Sequence, residues 1–110
     1  SVYYMNSGSA SGAGMAKMEQ GMVYQKLNQL DKTALVYDEA RRLLTKTNKL
    51  ARLAQLEYYA ADFYLKTEQT EKARQALNKA LNIYKKANNK RYIKYIEKRL
   101  KNLNMVNVDD

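Results

Sequence analysis

The residues able to do chemistry in this 110-residue chain form a narrow set. It has 0 His and 0 Cys, which removes imidazole bases, histidine and thiolate metal sites, disulfides and any Ser-His-Asp triad. The carboxylates are scattered. Asp38-Glu39 and Asp109-Asp110 are adjacent pairs, and neighbours in a helix do not face each other across a substrate. No calcium loop or phosphate loop is visible. An enzyme is not expected, nor is a metal or cofactor.

What remains is binding chemistry. The formal charge is +9 with a pI near 9.7. Within 85–101, Lys85, Lys86, Lys90, Arg91, Lys94, Lys98, Arg99 and Lys101 stand against Glu97 alone, so +7 of the imbalance is local. Tyr92 and Tyr95 interleave with these cations, as a base-stacking nucleic-acid surface would require. The same run also suits an acidic protein surface, anionic lipid, or a solvated face whose lysine stems cover apolar groups. Of the 10 tyrosines, Tyr24, Tyr37, Tyr64 and Tyr84 are expected in the core. Tyr58, Tyr59, Tyr92 and Tyr95 are expected at partly exposed positions, where tyrosine gives large contact area at low entropic cost. Met15, Met18 and Met22 lie one or two helical turns apart and form an adaptable apolar stripe. That stripe suits a missing neighbour, a dimer mate, residues 1–6 or an exchangeable ligand.

These residues must be positioned by helices. Pro is 0 and Gly is 4, and three of the glycines lie before Met15. From Met15 on, Ala16, Val23, Leu27 and Leu30, then Leu56, Ala60, Phe63, Tyr64 and Thr67, follow the intervals of amphipathic helices. Polar breaks predict helices over about 15–29, 31–47, 49–67, 70–87 and 89–104. Asp31 and Thr70 suit N-caps. Asn48 and Asn88 suit left-handed helix ends. Residues 1–14 read as a flexible segment, with Ser7–Gly14 its linker and residues 1–6 either an unstructured terminus or a tethered peptide that folds back into a groove. Residues 15–104 form the domain and 105–110 a tail.

The chain repeats with a period of 40. Tyr24 matches Tyr64, Lys32 matches Lys72, Ala40 matches Ala80 and Asn48 matches Asn88. Substitutions keep character, as in Gly21/Ala61, Tyr37/Leu77 and Leu43/Ile83. A fixed period of this size with two helices per unit signals stacked helical hairpins. Ile93, Ile96, Leu100 and Leu103 give the fifth helix an apolar stripe suited to closing the stack.

These residues resemble the tetratricopeptide repeat family. Gly21 with Tyr24, and Ala61 with Tyr64, match its small and aromatic positions in the first helix; Thr33, Tyr37, Ala40 and Ala73, Leu77, Ala80 match those in the second. The family's usual Trp is replaced by Lys17 and Glu57, its usual Pro by Thr45 and Lys85, and the period is longer than the family's 34. The longer helices are similar to those of peptide-sensing regulators of Gram-positive bacteria. The resemblance implies an all-α, right-handed α-hairpin solenoid of two hairpins and a C-terminal capping helix. It also implies a concave groove that binds an apolar or aromatic peptide or helix with some acidic character. Carried over singly, the lining is Met15, Met18, Met22 and Gln25, then Gln55, Tyr58, Asp62 and Leu65, then Tyr95, Lys98 and Asn102. One subtype clamps a peptide's terminal carboxylate with Lys and Asn. Met18 and Met22 hold those places in the first helix, so that ligand is not expected.

Two other functions stay open. The basic last helix can bind nucleic acid or another acidic surface, or the open first-helix face can join copies of the chain. No run approaches the roughly 18 apolar residues needed to span a bilayer. Lack of cysteine suits the cytosol and an extracellular setting alike; with no secretory signal visible, the expected setting is cytoplasmic.

Overall fold

Twenty residues separate successive ends of the first four helices, and the same turn closes all four. The computed structural model describes residues 9–109. It contains five helices among them: α1 Ser9–Lys26, α2 Leu30–Lys46, α3 Leu50–Lys66, α4 Thr70–Lys86 and α5 Lys90–Asp109, with no strand in the described residues. Asn28, Asn48, Glu68 and Asn88 have φ of 59°, 56°, 60° and 56°. In the first turn the Asn28 amide donates to the Gln25 carbonyl at 3.0 Å and the Gln29 amide to that of Tyr24 at 2.9 Å. The pattern recurs at 48–49, 68–69 and 88–89. This is the paired 5→2 and 6→1 bonding that satisfies the last carbonyls of a helix while reversing the chain. Asparagine tolerates the left-handed conformation, which explains three of the four positions. Asn48 and Asn88 thus do what their type suggests.

The helix starts differ from expectation. Asp31 and Thr70 are not caps: Gln29 and Gln69 hold those places without a side-chain cap bond. The Thr33 hydroxyl instead donates to the Gln29 carbonyl at 2.9 Å. Asp31 and Glu71 sit inside the first turns, where negative charge opposes the helix dipole. Asn89 does cap α5, its Oδ1 accepting from the Tyr92 amide at 3.3 Å.

The described chain forms two compact units, one through Leu56 and one from Glu57, the division falling inside α3. In the first, α1 packs on α2. Over residues 9–14 the flexible-linker reading fails, because these residues are the first turns of α1; Ser7 and Gly8 lie outside the described residues. Gly14 is buried, and a Cβ there would lie 2.9 Å from Leu44 Cδ2. Gly21 lies against Val36 and the Tyr37 ring, closer than any side chain permits. Over residues 12–26 of α1 the buried positions are Gly14, Met18 and Gly21. Val23 and Leu27, expected on the apolar face, are 55% and 60% exposed. Backbone contact replaces side-chain burial at Gly14 and Gly21, so Met18 is left to mark the packed face while Val23 and Leu27 do not. The suggested tethered peptide at residues 1–6 lies outside the described residues. The expected tail is helical as far as Asp109.

In the second unit α4 packs on α5, and Ala60, Ala61, Phe63, Ala73, Leu77, Ala80 and Ile96 are buried. Ile93, Leu100 and Leu103 are half-buried beside them. The two hairpins repeat in detail. Ala40 and Ala80 are both fully buried, as are Thr33 and Ala73. Lys32 sits 5.6 Å over the Tyr24 ring and Lys72 6.0 Å over Tyr64. Tyr24 and Tyr64 are accordingly half-buried rather than core, while Tyr37 and Tyr84 are buried as expected. The large residue opposite Gly21 is Tyr37, whose hydroxyl donates to Gln25 Oε1 at 2.9 Å. At the matching positions stand Ala61 and the smaller Leu77, both fully buried.

One repeated feature changes sign. Lys17 pairs with Glu39 at 3.4 Å, and forty residues on Glu57 pairs with Lys79 at 3.2 Å. Each first helix thus matches its own second helix and would meet a like charge on the other. Glu57 is 3% exposed, so its carboxylate needs the ammonium more than a surface pair would.

Two outcomes are expected in denaturant unfolding. Gly21→Ala loses about 1–3 kcal/mol from overpacking, and adding Tyr37→Leu recovers much of it, as a coupled pair should. Lys79→Glu loses about 1–3 kcal/mol by setting a like charge against the buried Glu57 carboxylate, and the double exchange Glu57→Lys/Lys79→Glu is more stable than that single variant.

Candidate functional site

The second unit carries a hollow of about 330 Å³ lined by Tyr58, Tyr95, Lys98, Arg99 and Asn102. Tyr58 comes from α3 and the others from α5. On α5 the intervals 95, 98–99 and 102 place these residues along one face. Tyr58 reaches the same place because it lies one turn before Asp62, whose carboxylate is paired with the Arg99 guanidinium. That guanidinium sits 4.9 Å over the Tyr58 ring. The interaction of a cation with an aromatic face is worth about 0.5–1 kcal/mol at exposed sites.

Behind the hollow lies an aromatic cluster. Tyr92 stacks on Tyr84 with centroids 4.7 Å apart and planes 10° from parallel. Its edge contacts are Tyr58 at 5.7 Å and Tyr95 at 6.1 Å. Such pairs fix ring orientation beyond what area burial supplies. One face of Tyr92 is thus taken by Tyr84, and Arg99 lies over Tyr58. Tyr95, 45% exposed, projects furthest into solvent. Its hydroxyl accepts from Arg91 Nε at 3.5 Å, and that contact with the guanidinium holds the phenol below its usual pKa and Arg91 above its own.

Of the expected lining, Tyr58, Tyr95, Lys98 and Asn102 come together here, with Asp62 joined through Arg99. Leu65 is 36% exposed further along α3 and is not among the lining residues. In the first unit, Met18 is 3% exposed, so it is a core side chain and has no surface to offer a partner. Met15 and Met22 are half-buried. Gln25 accepts from Tyr37, and Gln55 Oε1 accepts from Arg52 Nη1 at 3.2 Å.

Of the expected basic patch, Lys85, Lys86, Lys90, Arg91, Lys94 and Lys101 are exposed. Arg99 belongs instead to the hollow. Its position one residue beyond Lys98 concealed it; its i, i+4 relation to Tyr95 and the need of Asp62 for a cation are the signals that find it. The donors at the hollow are two cations and an amide beside two phenols, a set suited to an anionic group flanked by an apolar or aromatic one.

No helix among the described residues is long and apolar enough to cross a membrane. No family model matches the chain, and no curated protein or solved structure matches it.

Replacing Arg91 by Gln is expected to move the ionisation of Tyr95 back up toward the ordinary phenol value near 10. Tyrosine Cζ chemical shifts followed against pH would read this directly. An unchanged Tyr95 titration would show that Arg91 is not the cause.

Proposed function

We propose that this chain is a non-catalytic, tetratricopeptide-like interaction module that binds a peptide or helix from another protein, and that the hollow on α3 and α5 is its contact site. In this reading Tyr95 and Tyr58 supply apolar contact, Lys98 and Arg99 favour acidic character, and Asn102 orients the ligand. Met15, Met22, Gln25, Gln55 and Leu65 remain candidate contacts elsewhere on the chain; Met18 is left out because it is buried. The setting is cytoplasmic. The observation that carries the reading is the convergence of Tyr58 of α3 with Tyr95, Lys98 and Asn102 of α5 on one hollow. Peptide recognition by a groove uses this mixture of apolar anchors and a few fixed polar groups.

Nucleic-acid binding by the basic helix is the rival, favoured by the exposed cations of α5. It is the weaker reading, because single-strand platforms stack successive bases on free aromatic faces. Here Tyr92 is stacked on Tyr84 and Tyr58 lies under Arg99. Joining of copies through the first-helix face is a third reading, for which the exposed Val23 and Leu27 are the relevant residues.

Selection from a random dodecapeptide display library tests the proposal. Enriched peptides should combine Asp or Glu with aromatic or aliphatic residues. They should lose about tenfold or more in affinity for a folded Tyr95→Ala/Lys98→Glu variant, as central interface contacts do. Enrichment equal on the variant would overturn it. So would tighter binding of a short thymidine oligonucleotide with a steep loss in salt.

A further inference from the structure

Asp62 is an acidic side chain at the edge of a hollow that the reading above assigns to an acidic side chain of another chain. It does not line the hollow, yet it holds the guanidinium of a residue that does. Neither partner is buried: the side chains of Arg99 and Asp62 are 37% and 41% exposed. An exposed ion pair of this kind contributes little net stability, because water competes for both groups. A second carboxylate entering the hollow competes in the same way, and on better terms than water, since it offers the same charge-assisted bonds.

Resting on the peptide-binding reading above, we infer that Asp62 is an internal competitor: a partner's Asp or Glu takes its place on Arg99, and the exchange uncovers the Tyr58 ring for the apolar residue beside it. The geometry couples the two events. Arg99 lies 4.9 Å over Tyr58 while it is held by Asp62, so the face that would receive an aromatic or aliphatic side chain is covered until Arg99 moves. Lys98 and Asn102 line the same hollow and are available to the incoming carboxylate as Arg99 turns toward it. The exchange of one carboxylate for another leaves the guanidinium paired throughout, so the partner does not have to meet the cost of desolvating a lone cation. A peptide without an acidic residue gains no such exchange. It leaves Asp62 in place and meets a covered ring. The site therefore selects an acidic residue next to an aromatic or aliphatic one, at an affinity that Asp62 holds down.

The probe is a fluorescein-labelled hexapeptide of alternating Glu and Phe, with alternating Gln and Phe as its uncharged twin, read by anisotropy at fixed salt. Asp62→Asn is expected to bind the Glu peptide about threefold to tenfold more tightly than the unaltered chain, and the Gln peptide no better, in keeping with the loss of one competing ion pair. Glu97→Gln removes the same charge from an exposed site on α5 and controls for net charge; it should give less than half that gain. Adding Arg99→Gln to Asp62→Asn should abolish the gain. Asp62→Ser serves as a second variant if Asp62→Asn does not fold by circular dichroism. Equal or weaker binding by the Asp62 variants, an equal gain from Glu97→Gln, a gain that survives Arg99→Gln, or no binding of the Glu peptide by any variant would each overturn the inference. The library selection reports separately on the peptide-binding reading, so a failure of Asp62 as competitor is distinguishable from a failure of the site.

Discussion

Each of the first four helices reverses through a single left-handed residue, and the two hydrogen bonds that form around it fix where the next helix starts. Because Asn28, Asn48, Glu68 and Asn88 recur every twenty positions, successive helices begin at Leu30, Leu50, Thr70 and Lys90. The turn leaves no slack for a helix to rotate or slide before it meets its partner. Glu68 carries this conformation at a cost asparagine and glycine largely avoid, since a longer side chain gains no local compensation there.

Short turns make the interhelical contact severe, and the chain meets that demand with small residues. Gly21 admits the Tyr37 ring; forty residues on, Ala61 and the smaller Leu77 stand at the matching positions, both buried. The volumes on the two sides change together, as close-packed interiors require. Charge follows the same logic. The Lys17–Glu39 and Glu57–Lys79 pairs occupy equivalent places with opposite sign. Two hairpins this similar could exchange partners, within a chain or between copies, and the sign reversal disfavours that exchange. Specificity of this kind is obtained by penalising the wrong pairing as much as by rewarding the right one.

The hollow on α3 and α5 uses what the packing leaves over. Tyr84 and Tyr92 stack to make a firm backing, which holds Tyr58 and Tyr95 at its edge. The cations of α5 then divide by direction. Lys94 and Lys101 point to solvent, while Lys98 and Arg99 line the hollow. A run of positive charge that looks uniform in sequence thus serves two features, a solvated face and the lining of the hollow.

Much of this was legible in the residues alone. The forty-residue period, the helical class and the asparagine turns follow from local chemistry, because turn conformation and helical periodicity depend on neighbours a few residues away. Tyr58, Tyr95, Lys98 and Asn102 were also within reach, since the repeat places them in one register. Three things were not. The start of α1 at Ser9 was hidden because Gly14 and Gly21 pack through backbone, which leaves no apolar pattern to read. The burial of Met18 was hidden because a methionine stripe suits a core as well as a surface. The role of Arg99 was hidden because Asp62, its partner, lies 37 residues away. Local propensity determined the helices and their turns; only tertiary packing decided which side of each helix is covered, because that depends on the size and charge of residues distant in the chain.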